Sequence, residues 1–122
     1  DLNVAGISTF ADDVVFTGAA ANVTWDKSTD DLIFNDNAKA IFGTSSDGVS
    51  IYHNGSQSHI MDGGTGGLII NSDVLSIKNS SDTEMIARFT QDGGVDLFYN
   101  NLQSLNTTGY GVSVSGFESL GI

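Results

Sequence analysis

Short apolar runs and polar turn phrases alternate along the chain, with strand starts recurring about every 8 to 10 residues, the rhythm of strands joined by tight turns. The pattern predicts strands near 13–17, 22–26, 31–35, 39–43, 48–53, 57–61, 67–71, 74–78, 84–90, 95–100 and 110–115. Between them stand Gly18-Ala19-Ala20-Ala21, Asp47-Gly48, Asn54-Gly55, Asp62-Gly63-Gly64, Gly66-Gly67, Asp92-Gly93-Gly94 and Thr107-Thr108-Gly109. Each offers a residue that tolerates positive φ, as tight hairpin turns require. No stretch spaces its apolar residues at i, i+3, i+4 and i+7 over three turns, so almost no helix is expected.

Several strands do not alternate cleanly. Leu32-Ile33-Phe34, Ala40-Ile41-Phe42 and Leu68-Ile69-Ile70 are apolar toward both faces, and such a strand must be covered twice. A helix-free chain of 122 residues has little with which to cover a second face. Partner chains are the expected cover, through an obligate interface of about 2,000 Å² or more. Phe34, Ile41, Phe42, Ile51, Ile69, Leu97 and Phe98 are the residues expected to be buried once the chain is assembled.

The chain also repeats itself. The pattern of Leu2–Phe10 returns in Val112–Leu120 at an offset of 110, which reads as one link of a longer tandem array. Asp12-Asp13-Val14-Val15-Phe16 returns as Asp30-Asp31-Leu32-Ile33-Phe34, and Gly48–Asn54 returns as Gly94–Asn100, 46 residues on. The periods disagree, so no strict rung length emerges. The organisation expected is one module over 1–122: a linker-like segment over 1–21, the main β module over 22–109 and the start of the next link over 110–122. A chain that begins at Asp1 without Met reads as a fragment or a processed product.

Composition narrows the field. Charged residues make up only 16% of the chain, there is no Pro, and Gly, Ser, Asn, Thr and Asp crowd the turns. The net charge of −11 sets 15 acids against Lys27, Lys39, Lys78 and Arg88, so a phosphate backbone or an anionic membrane surface is a poor partner. No apolar stretch approaches the roughly 20 residues of a membrane-spanning helix. Cysteine is absent, which removes disulfides and thiolate metal sites.

Val23-Thr24-Trp25-Asp26, the run Asp31–Gly43, the run Asp47–Ser56, Gly66–Ile70 and Gly94–Asn100 together resemble the repeat of fibre proteins of tailed phages, marine cyanophages in particular. The resemblance spans about residues 22–116, and Asp36–Ser56 is its most specific part. It implies an all-β, elongated trimeric fibre, a β-helix or β-prism-like shaft of short strands and tight turns, in an extracellular appendage of the virion. It brings no catalytic residues with it.

Residues that bear chemistry are few. His53 and His59 flank the Asn54-Gly55 turn and are expected to face each other across a hairpin; with Asp62 they are the candidate metal ligands, and three copies of either His would ring a three-fold axis. Their spacing matches no strong metal motif, so polar turn residues or packed imidazoles stand against that reading, and no cofactor is expected. Asp-rich turns match neither the twelve-residue calcium loop nor the nonapeptide calcium repeat. Trp25, Tyr52 and His53 are the candidate glycan contacts, since an exposed ring stacks on sugars. No nucleophile, base and orienter set is legible, and no enzyme is expected.

Two functions follow. One is a structural module of a homotrimeric virion fibre, giving rigidity and reach for host attachment, with itself and neighbouring fibre modules as partners. The other is a receptor-binding adhesin segment contacting host cell-surface polysaccharide. Aromatics buried between subunits favour the first, and an exposed cluster of aromatics with carboxamides favours the second.

Overall fold

Three antiparallel sheets account for the described residues, Asp1 and 3–115, of the computed structural model. The chain divides into two compact units, Asp1–Ile69 and Ile70–Ile122. In the first, β1 (Val14–Phe16), β2 (Val23–Asp26) and β3 (Asp31–Phe34) form one meander, and β4 (Ala40–Thr44), β5 (Asp47–His53) and β6 (Ser58–Asp62) form another. In the second, β7 (Val74–Lys78), β8 (Met85–Thr90), β9 (Val95–Tyr99), β10 (Leu102–Thr108) and β11 (Gly111–Val114) lie side by side in sequence order. Among the described residues there is no helix and no closed barrel. Leu2 and residues 116–120, which belong to the terminal echo, lie outside the described residues.

Turn chemistry sets the hairpins. Asn100 and Asn101, at φ 48° and 63°, form the two-residue turn between β9 and β10, where positive φ at both positions matches the twist of the strands. Asp26 Oδ1 accepts from the Ser28 N–H (2.8 Å) and the Ser28 hydroxyl (2.6 Å), closing the turn into β3. Those bonds, the hydroxyl first and the N–H second, hold the Asp26 carboxyl below the ordinary aspartate value. A carboxyl depressed in this way supports the turn above the unfolded-chain value of about 3.9 and loses that support as pH falls through its own lower midpoint. An NMR titration is expected to show the low midpoint, and Ser28→Ala is expected to raise it; an unmoved midpoint would assign the shift elsewhere.

Between β4 and β5 the turn is Ser45-Ser46, with Asp47 and Gly48 already in the strand rather than in the turn. Gly43 (φ 111°) pairs with Gly48, and a Cβ on Gly48 would come within 2.4 Å of the Phe42 carbonyl, so only glycine fits this crossing. The expected strand at 67–71 is not formed: Leu68, Ile69 and Ile70 are exposed and pair with no described strand. The apolar pattern does not predict β10. Its register shift between Gln103 and Leu105 puts Leu102 and Leu105 on one face three residues apart, which hides the alternation of a strand.

The registers reveal one three-strand pattern used three times. Phe42 pairs with Val49 as Phe89 pairs with Val95 and Phe16 with Val23. Ala40, Ile51 and Ile60 stand abreast as do Ala87, Leu97 and Leu105, and as do Val14, Trp25 and Leu32. Paired residues share a face, so each sheet carries an apolar face built at the same positions. The 46-residue echo of the sequence is therefore the middle strand of two such meanders. The shorter echo, Asp12–Phe16 with Asp30–Phe34, holds the two edges of a single sheet.

Among the described residues these apolar faces are left largely exposed. The only buried apolar residues described are Ala38 and Ala87, and no large side chain is fully buried. Of the seven residues expected in the core, Phe98 is half-buried and the others are exposed in the single chain, Phe42 at 65% and Ile69 at 78%. The chain exposes 9892 Å², whereas even two separate globules of half its mass would together expose about 7,600 Å².

The opposite face of the five-stranded sheet is polar and self-satisfied. Asp96, buried in the middle of β9, accepts from Arg88 Nε (3.1 Å) and Nη2 (2.7 Å) with one oxygen and from Gln103 Nε2 (2.7 Å) with the other. Arg88→Met would strand that carboxylate with one neutral donor and is expected to cost about 2 kcal/mol, below the value for a fully buried pair because Arg88 is half-exposed. Replacing both, as Arg88→Met with Asp96→Leu, is expected to recover most of it in unfolding curves; a double variant worse than the single would show that the stranded carboxylate is not the source of the loss.

Candidate functional site

The sheet of β4, β5 and β6 holds most of the candidate residues, and its middle strand decides where they point. Tyr52 pairs with His59, and His53 pairs with Ser58. Consecutive residues on β5 face opposite ways, so His53 and His59 lie on opposite faces of the sheet and do not meet. This corrects the expected facing pair. The loop is Asn54-Gly55-Ser56-Gln57, closed by Asn54 N–H to the Gln57 carbonyl at 3.0 Å, not a two-residue Asn-Gly turn.

On one face, Tyr52 stands between two partners. The His59 ring stacks on it at 4.8 Å between centroids, with an interplanar angle of 12°, and the Lys39 ammonium lies 4.5 Å from its centroid. Because β4 and β6 flank β5, the two reach the ring from opposite sides. Asn54 Oδ1 accepts from the N–H groups of Ser56 (3.0 Å) and Gln57 (2.8 Å), which turns its Nδ2 toward His59 Nε2 at 3.1 Å. Nε2 is then the acceptor, and the His59 proton sits on Nδ1. The Tyr52 ring is thus taken up internally, and a sugar stacking on it would have to displace His59 or Lys39.

On the other face, His53 Nδ1 lies 3.1 Å from the Ser58 hydroxyl, and its backbone carbonyl accepts from the Asn37 N–H at 2.7 Å. Beside it runs an open groove of about 570 Å³, lined by Phe34, Ala40, Phe42, Ile51 and Ile60. Trp25 is on the apolar face of the first sheet, abreast of Val14 and Leu32, in the position that Ile51 and Leu97 hold in the other two. The three glycan candidates are thus not brought together: Trp25 belongs to another sheet, and Tyr52 and His53 point opposite ways.

Asp62 pairs with Val49 at the far end of β6 from Ser58, and the Gly64 N–H lies 3.5 Å from its Oδ1. Among the described residues no group of three His, Cys, Asp or Glu side chains comes together as a metal site. A second groove, about 620 Å³ between Gly18–Asn22 and Ile33–Asp36, offers one charged side chain, Asp36.

Sequence reasoning missed the Arg88, Asp96 and Gln103 cluster. A signal was there: Asp96 is a lone acid inside Val95-Asp96-Leu97-Phe98, and one of only four cations, Arg88, precedes it by one hairpin. Asp96 takes the position of Ser50 in the second meander, and these two are the buried polar residues described. No family model matches the chain, and neither a curated protein nor a solved structure does.

Proposed function

We propose that the chain is a structural module of a homotrimeric virion fibre, a tail fibre or related appendage, in which partner copies cover the apolar sheet faces. The observation that carries the oligomeric part is the apolar face that every sheet leaves open. The virion part rests on the resemblance to phage fibre repeats. The module works by rigidity and reach and performs no reaction. In keeping with that, Asp26 and Asp47 are occupied with backbone N–H groups, Asp47 Oδ1 accepting from the Thr65 N–H at 3.1 Å.

The adhesin alternative draws less support, because Tyr52 is enclosed by Lys39 and His59 and the other two glycan candidates lie on apolar faces. Sedimentation equilibrium at low micromolar concentration is expected to give a mass near three times 12.8 kDa. A folded monomer would overturn the structural reading, and retention on host polysaccharide abolished by Tyr52→Ala would favour the adhesin.

A further inference from the structure

We infer that copies of the chain associate through the face that carries Ile51 in the first unit and Leu97 in the second, each residue near its own counterparts, while Met61 and Asn106 on the opposite faces point away. The inference rests on the trimeric reading and adds which surface is inside.

Internal repetition selects the face. At the middle-strand position the three meanders place Trp25, Ile51 and Leu97, all large and apolar; one residue earlier, on the other face, they place Thr24, Ser50 and Asp96. A position kept apolar three times over sees the same dry surroundings three times, whereas a position that ranges from hydroxyl to carboxylate does not. Bonding selects it again. Asp96 uses both oxygens within its own sheet, and Tyr52 is stacked by His59 and approached by Lys39, so these polar groups need no second chain, while Ile41 and Met61 stay exposed beside Tyr52.

Charge permits the association. None of the strand-paired residues on the apolar face of the five-stranded sheet is an acid, and on the Ile51 face the acids, Asp47 and Asp62, are confined to the end of the sheet away from His53. The area also fits. The chain exposes about 2,300 Å² more than two compact globules of half its mass would, the order of area that an obligate interface buries. Around a cyclic axis, residues nearest the axis approach their own copies.

Because the chain has no cysteine, single substitutions give clean probes. Ile51→Cys and Leu97→Cys, treated with a short bismaleimide at a concentration where the mass is that of three chains, are expected to yield chain-to-chain crosslinks. Met61→Cys and Asn106→Cys are expected to yield roughly tenfold fewer, as the sheet lies between them and the contact. Equal or greater crosslinking from Met61→Cys and Asn106→Cys at trimer mass would overturn the inference and leave the trimer standing. A folded monomer would remove both. Inner variants that cease to assemble while the outer ones assemble normally would support the inference as crosslinking does, because only a residue within the contact blocks it.

Discussion

The melting temperature of the assembled chain is expected to climb with protein concentration. Dissociation of a trimer frees two additional particles, so each tenfold dilution lowers its stability by about 2.7 kcal/mol. The effect is large because the chain alone has so little to fold around: relative to an unfolded surface of about 18,600 Å², its 9892 Å² means that only about 47% is buried, against roughly 65% for a single globule of this length. A cooperative transition at a constant temperature across a wide dilution series would mean that the sheets hold together without partners. The open faces would then be surface and not interface.

Sequence and fold agree where local chemistry decides, and part where register decides. Apolar runs locate most of the strands, and glycine or asparagine marks most of the turns, because both signals act within a few residues. The pairing of His53 with Ser58 is not legible in the sequence. A shift of one residue in the β5 and β6 register would have set His53 against His59, and such a shift swaps every side chain to the other face. β10 is hidden by its irregularity at Ser104, and Leu68-Ile69-Ile70, strand-like by composition, has no partner among the described strands of its own chain. Repetition is visible as an echo, but its content is not. Only the pairings show that Phe16, Phe42 and Phe89 hold one position in three sheets.

Phe42→Ala and Phe89→Ala are expected to destabilise the assembled protein by about 3 to 5 kcal/mol per chain, the range for truncating a phenylalanine in a packed core. The magnitude itself is the test. In the single chain Phe42 is 65% exposed and Phe89 40%, and trimming side chains so open to water would ordinarily change stability by about 0.5 kcal/mol. Values near the upper figure require that another surface close over both residues, and similar values at the two sites would show that the repeated position has one environment. Phe98→Ala supplies the contrast. Its ring is half-buried on the opposite face with the Arg88 guanidinium 5.8 Å from its centroid, so about 1 to 2 kcal/mol is expected from its lost area and cation contact. Chemical unfolding at one fixed protein concentration compares the three directly. A Phe98→Ala loss larger than that of Phe42→Ala and Phe89→Ala would place the dry surface on the Arg88 face, and it would reverse the inside and outside of the five-stranded sheet.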